Sequence, residues 1–243
     1  MTNYTLLGVN FQQMSEADAH KRIISLLDRN GACVFTPNAV ILGKAARAPS
    51  LRGLLSSADL LLPDGVSIGL ACRIMGLPPQ KRITGIDTAY WLMEYARRHG
   101  LSVYLLGGAH GIAKQAARHL RAAMPELDIC GAHHGYFDKH PNSEENKEVI
   151  KDINKASPDI LFVCMGFPTQ EAWIRSNISK LPSVHLAMGL GGSLDVWSGK
   201  TKRAPRLLQD MGLEWLWRSI TSPKKLLDLA SLPLFYFELK ASK

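Results

Sequence analysis

The sequence predicts an α/β protein, with a mostly parallel sheet covered by helices on both faces and a helical appendage at the C-terminus. Three observations carry this. Short apolar runs alternate with longer amphipathic stretches from Thr5 to Met188, the rhythm of strand–helix–strand units. Within the runs, apolar residues stand at consecutive positions rather than at every second one, as strands dry on both faces require. After Gly189-Leu-Gly-Gly192 the rhythm stops, and helical segments rich in aromatic and basic residues follow. The layout is Rossmann-like.

In chain order, Thr5 to Val9 is predicted as the first strand, and Ser15 caps a helix with Ala19, Ile23, Ile24 and Leu27 among its apolar positions. Ala32 to Phe35 is the next strand. Thr36-Pro-Asn38 then leads into a helix through Ala46, and Pro49 to Ser57 forms a shorter one. Leu60 to Leu62 is a buried strand that Pro63 ends, because proline has no N–H for the ladder. Val66 to Met75 and Ile86 to His99 are helical, separated by Gly76-Leu-Pro-Pro79. Leu101 to Leu106, Leu127 to Ala132, Asp159 to Met165 and Val184 to Met188 are predicted strands. Helices over Ile112 to Ala123, over Ser143 to Ala156 and up to Lys180 link them. Pro205 to Ile220 and Lys224 to Leu232 are helical. The chain is divided into an α/β domain over residues 1–200 and a basic amphipathic appendage over 201–243.

A chain of 243 residues with 46% hydrophobic content can bury a sizeable core. Cys33, Cys72, Cys130 and Cys164 lie far apart among apolar neighbours and form no C-x-x-C pair. That argues against structural zinc and a disulfide framework and for free thiols in a reducing compartment. The first residues lack the basic-then-apolar order of a secretory signal. No apolar window reaches the ~18 residues a membrane span needs. Net charge is +8 and uneven: from Lys200 to Lys243 there are nine Lys or Arg and four Asp or Glu, so more than half of the excess falls there. A basic, apolar tail suits a phosphate-rich partner: an anionic membrane, nucleic acid or a diphosphate ligand.

Asp64 stands where the Leu60 strand stops, before Gly65, and open α/β sheets bind ligands at the carboxyl ends of their strands. It is a candidate general base or an N-cap for the helix from Val66, and spacing alone favours the cap. Leu106-Gly-Gly-Ala-His-Gly111 joins strand to helix and can cradle a phosphate or be a plain tight turn. It lacks the full G-x-G-x-x-G spacing, and no acidic residue ends the next strand, which weakens a dinucleotide reading. Gly189-Leu-Gly-Gly-Ser-Leu-Asp195 allows close approach of backbone to a ligand, with Asp195 as an acceptor beyond it, or serves as a crossing loop. Arg82 is a phosphate clamp or a solvated charge. His133 and His134 are adjacent on a strand and point to opposite faces, so they do not share a metal. Phe167-Pro-Thr-Gln170-Glu171 falls at the same sheet edge as Asp64.

These segments, taken together and in order, resemble the bacterial WecG/TagA/CpsF glycosyltransferases. The matching runs are Thr36-Pro-Asn38, Ala58-Asp-Leu-Leu-Leu-Pro-Asp-Gly65, Arg82-Ile-Thr-Gly85, Leu105-Leu-Gly-Gly108 and Gly135-Tyr-Phe137. Met165-Gly-Phe-Pro-Thr-Gln-Glu171, Gly189 to Asp195, Lys202-Arg-Ala-Pro-Arg206 and Gly212-Leu-Glu-Trp-Leu-Trp-Arg218 continue the match. The resemblance implies an inverting transferase that moves a hexosyl group from a UDP-sugar to a sugar on undecaprenyl diphosphate, in surface-polysaccharide or teichoic acid synthesis. N-acetylmannosamine, its uronic acid and glucose are the sugars it leaves open. It assigns Asp64 as the base and Arg82 to charge on the diphosphate. Thr36, Asn38 and Gln170 line the sugar site, and Tyr136, Gly191, Gly192 and Asp195 hold UDP. Arg203, Arg206 and Arg218 are candidates for the lipid diphosphate. It implies no cofactor and no metal, no nucleic acid, an anionic membrane surface as partner at the cytoplasmic face, and leaves self-association open. Past Ser222 the tail carries Lys224, Lys225 and Asp228 and is less arginine-rich than in many relatives. The rival readings are an NAD-dependent oxidoreductase using Leu106 to Gly111 and a non-enzymatic membrane-binding adaptor.

Overall fold

The computed structural model describes residues 2–210, 214, 217 and 235–240. Six strands build the main sheet: β3 (Ala32–Phe35), β4 (Leu60–Leu61), β5 (Val103–Gly107), β6 (Ile129–His133), β7 (Ile160–Cys164) and β8 (Leu186–Gly189). They lie in the order β4-β3-β8-β7-β5-β6, and every neighbouring pair is parallel. The N-terminal expectation needs correction. Within the apolar run predicted as one strand, Leu7 and Gly8 both take positive φ, 50° and 78°, the geometry of a two-residue hairpin turn. The chain therefore folds back on itself as β1 (Asn3–Leu6) and β2 (Val9–Gln12), an antiparallel ribbon outside the main sheet.

Helices cover both faces because alternate strand residues on each face are apolar. Ala32, Val34, Leu105, Phe162, Leu186 and Met188 pack on one side. They meet α1 (Glu16–Leu27), α5 (Gly85–His99), α6 (Ile112–Ala123) and α9 (Ser193–Trp197), the last a short helix the sequence reading did not mark. Cys33, Phe35, Tyr104, Leu106, Leu161 and Val163 face the other way. There they meet α2 (Ala39–Arg47), α3 (Pro49–Ser56), α4 (Val66–Met75), α7 (Glu144–Ala156) and α8 (Thr169–Asn177). Side-chain caps start four of these helices, the first at Ser15 as the sequence predicts. Ser15 and Asp18 form a capping box, while Asn38, Thr84 and Ser143 accept from the first turns of α2, α5 and α7. All four cysteines are free thiols.

The C-terminal residues return to the body of the protein. Residues 235–240 are helical, and Phe235 and Leu239 are fully buried among the side chains of the second face. Arg47 of α2 donates to Glu238. The helix α10 (Arg206–Asp210) precedes them, and Arg218 and the predicted helix from Lys224 to Leu232 lie outside the described residues.

Connections diverge between β5 and β7: the chain leaves β5 toward β6 and leaves β7 toward β8 on the opposite side. That reversal opens a crevice at the carboxyl edge. Gly107, the last residue of β5, has φ at +136°, and a Cβ there would lie 2.2 Å from the carbonyl oxygen of Cys164. Gly107→Ala is therefore expected to cost about 2–4 kcal/mol, read as a lowered thermal midpoint. An unchanged midpoint would show that the β5–β7 contact yields without cost.

Candidate active site

A cavity of about 1030 Å³ opens along the carboxyl edge of the sheet. Residues that follow all six parallel strands line it. Asn38 comes after β3, Asp64 and Gly65 after β4, and Gly108 and Ala109 after β5. Gly135 and Tyr136 follow β6, Met165 and Gly166 follow β7, and Gly191 and Gly192 follow β8. The size stands at the upper end for single small-molecule sites.

Asp64 is placed by the backbone around it. The Leu62 N–H donates to the Phe35 carbonyl at 2.9 Å, the Asp64 N–H to Pro37 at 3.0 Å, and the Ile83 N–H to Pro63 at 3.1 Å. These bonds stitch the end of β4 to β3 and bring the Arg82 segment alongside. The helix α4 starts one residue later than a cap at Asp64 would need: its N-cap is Gly65, at φ 96°. The cap reading that spacing favoured is thus corrected, and the Asp64 carboxylate borders the cavity, with Oδ1 3.9 Å from Arg82 Nε.

Arg82 belongs to a line of alternating charges. Its Nη2 donates to Glu214 Oε2 at 2.6 Å, and Arg203 Nε lies 3.4 Å from Glu214 Oε1. Arg203 in turn grips Asp87 with both ends of its guanidinium, at 2.6 and 2.8 Å, a fork that matches a carboxylate. Burial acts against the Asp87 charge, but hydrogen bonds from Arg203 and Thr84 outweigh it and hold the carboxyl below the ordinary aspartate range. Glu214 is 3% exposed, and flanking guanidinium groups compensate a carboxylate so deeply placed.

The remaining predicted residues divide. Asn38 lines the cavity while its side-chain oxygen caps α2. Tyr136 is exposed at the rim, and Gly191, Gly192 and Asp195 border the cavity, Asp195 paired with Lys200 at 3.2 Å. Thr36 does not line it, because its hydroxyl donates to the Gly189 carbonyl at 3.0 Å and ties β3 to β8. Gln170 is not among the lining residues: it is buried, and backbone N–H groups occupy its oxygen. Arg203 is engaged by Asp87 and Glu214 away from the lining, and Arg206 is exposed at the start of α10. Burial pushes the Cys164 thiol, at the cavity floor, up to about 12, so it stays protonated at neutral pH and is no nucleophile. His134, with the His110 and His133 rings tilted against it, has its pKa lowered, first by burial and then by those two rings.

Sequence reasoning missed Glu214 and Asp87, and also Lys44, Lys139, Glu145 and Lys200, which line the cavity. Glu214 carried one signal: an acidic residue inside an aromatic, apolar stretch from Gly212 to Trp217. Asp87 three residues after Thr84 has the spacing of a capping box and conveys nothing more.

An α/β scaffold with a carboxylate, an arginine and glycine-rich turns gathered at one strand edge defines an enzyme-like ligand cleft. Sequence comparison sharpens this: the chain belongs to the glycosyl transferase WecG/TagA/CpsF family, whose profile matches residues 4–243. It is a glycosyltransferase. A Bacillus spizizenii protein named N-acetylglucosaminyldiphosphoundecaprenol N-acetyl-beta-D-mannosaminyltransferase is 34% identical over 210 residues, 86% of this chain and 79% of that protein. A Staphylococcus aureus protein of the same name is 30% identical over 241 residues, 98% of this chain and 92% of that one. Membership of this family sets aside the oxidoreductase and adaptor readings.

Because the Asp87 carboxyl is held low, its ion pair contributes stability that is complete above about pH 4 and is lost as pH falls through the depressed value. Asp87→Asn should lower the thermal midpoint at pH 7, and the gap from the parent protein should narrow as pH falls below about 4. A gap constant from pH 7 to 3 would assign the effect to packing instead.

Proposed function

We propose that the protein transfers an N-acetylmannosaminyl group, with inversion, from a UDP-linked donor to N-acetylglucosaminyl-diphosphoundecaprenol. The observation that carries this reading is the Asp64 carboxylate at the cavity wall, with Arg82 beside it at 3.9 Å. Asp64 takes the proton of the acceptor hydroxyl as that oxygen attacks the anomeric carbon. The bond from that carbon to the nucleotide diphosphate breaks, and UDP leaves with the electron pair. Arg82 and the backbone N–H groups of the glycine turns offset charge on the diphosphate, so the step requires neither cofactor nor metal. Tyr136, the Gly191-Gly192 turn and Asp195 hold the nucleotide, and Asn38 faces the sugar. A cavity of about 1030 Å³ has room for the donor and the sugar diphosphate end of the acceptor. The names of the two relatives support N-acetylmannosamine over its uronic acid or glucose.

The acceptor's lipid places the reaction at a membrane surface, and a UDP-linked donor places it on the cytoplasmic side. Among the described residues no helix is long and apolar enough to cross a membrane. Leu207 and Phe237 are large apolar side chains left 70% and 72% exposed, and both belong to the net-basic C-terminal stretch of the sequence. They fit a surface that enters the lipid interface.

Asp64→Ala should lower kcat by about 10²–10⁴-fold while UDP affinity stays within about threefold. Turnover of a prenyl-diphosphate acceptor at near-parent rates would remove Asp64 from the mechanism. For docking, Leu207→Glu with Phe237→Glu should weaken sedimentation with anionic vesicles about tenfold or more and leave turnover of a short-chain soluble acceptor intact. Unchanged vesicle binding would move the docking surface elsewhere.

A further inference from the structure

Gln170 stays off the cavity, yet it holds one of the cavity's walls. Its Oε1 accepts three backbone N–H groups: Met165 at 3.3 Å, Gly166 at 3.1 Å and Gly191 at 2.9 Å. Met165 and Gly166 follow β7 and Gly191 follows β8, so one oxygen fastens two loops that line the cavity. A carboxamide has chemically opposite ends. Turned over, Gln170 would set its NH₂ group against three N–H donors and lose all three bonds.

Two features keep the oxygen on the correct side. Gln170 Nε2 donates to Glu171 Oε1 at 2.9 Å, and that acceptor belongs to a residue only 1% exposed. Gly189 leaves room for the amide: a Cβ there would fall 2.9 Å from Nε2. The other carboxyl oxygen, Glu171 Oε2, has no hydrogen-bond partner among the described residues. Desolvation at such a depth opposes the charged form. A buried acid with half of its bonding capacity unused is a costly choice for packing alone, but ionised or neutral it presents an acceptor to Gln170.

We propose that Glu171 is a positioning residue of the donor site: by accepting from Gln170 Nε2 it fixes the carboxamide so that Oε1 gathers Met165, Gly166 and Gly191. The Gly191-Gly192 turn is thereby held in its ligand-binding shape. This rests on the reading above that the turn holds the donor's nucleotide. Glu171 touches no reacting atom, and its effect reaches the donor through Gln170.

The test uses the full chain and two variants. Glu171→Met matches the volume without an acceptor, and Glu171→Gln retains an oxygen. Hydrogen exchange over residues 189–193 of the free protein reports the wall without any ligand. Donor KM and kcat, with UDP titration, report the site. Glu171→Met should speed that exchange and raise donor KM about tenfold or more, with kcat falling less than about threefold, and Glu171→Gln should restore both to within about threefold of the parent. Unchanged exchange in Glu171→Met, or a glutamine variant as impaired as the methionine one, overturns the proposal. If Glu171→Met does not fold, Gly189→Ala, which displaces Nε2, replaces it: loosened exchange supports the proposal and parent-like exchange overturns it. If the parent protein fails to bind UDP, the nucleotide reading falls, and the exchange data alone decide whether Glu171 sets the wall.

Discussion

Strands that run in one direction and are dry on both faces consume their backbone hydrogen bonds within the ladder and expose no polar side chain along their length. Here that constraint applies to β3, β4, β5, β7 and β8, which are buried throughout, while the edge strand β6 is only partly buried beyond Ile129. Polar chemistry is left to the ends, and parallel order brings all the carboxyl ends to one edge. Asp64, Asn38, Tyr136 and the Gly191-Gly192 turn are far apart in sequence and share one cavity for this reason. The reversal of connection between β5 and β7 supplies the opening that two uniformly wound strands would have closed.

The edge is held in shape mainly by backbone hydrogen bonds rather than by side chains reaching toward a ligand. The Pro37 and Pro63 carbonyls receive the N–H groups of Asp64 and Ile83, so the backbone around Asp64 is anchored before any substrate arrives. Thr36 and Gln170 act likewise from below, one on Gly189 and the other on Met165, Gly166 and Gly191. Such bracing limits the reorganisation left for the reaction to supply, which is the condition under which fixed dipoles and guanidinium groups act most strongly on developing charge.

Charge is arranged with the same economy. Arg82 and Arg203 flank the buried Glu214, and Asp87 closes the line. Glu214 comes from the C-terminal part of the chain, as do Phe235 and Leu239, whose side chains are buried in the core. The tail is therefore joined to the domain through both an ionic and an apolar contact, and its exposed apolar residues, Leu207 and Phe237, face outward from that attachment.

Residues interacting within a few positions of one another were legible in the sequence. The helix start at Ser15, the stop at Pro63 and the continuous apolar strands all follow from local backbone chemistry. The position of Asp64 at a strand mouth was equally readable, though its rivalry with a helix cap was not resolved there. Two side chains apart in sequence and joined in space left no such trace. Nothing local shows that three N–H groups from two loops converge on the Gln170 oxygen. The pairing of Arg82 with Glu214 spans 132 positions and has no periodicity to reveal it. The hairpin at Leu7-Gly8 escaped because an apolar run conceals a reversal that only the positive φ angles display. By itself, then, the sequence determined the order of the main-sheet strands and their longer helices, and put Asp64 and the glycine turns at strand ends, since those depend on neighbours along the chain. Only the tertiary structure decided which of them face the cavity and which are braced beneath it, since that depends on partners the fold brings from elsewhere.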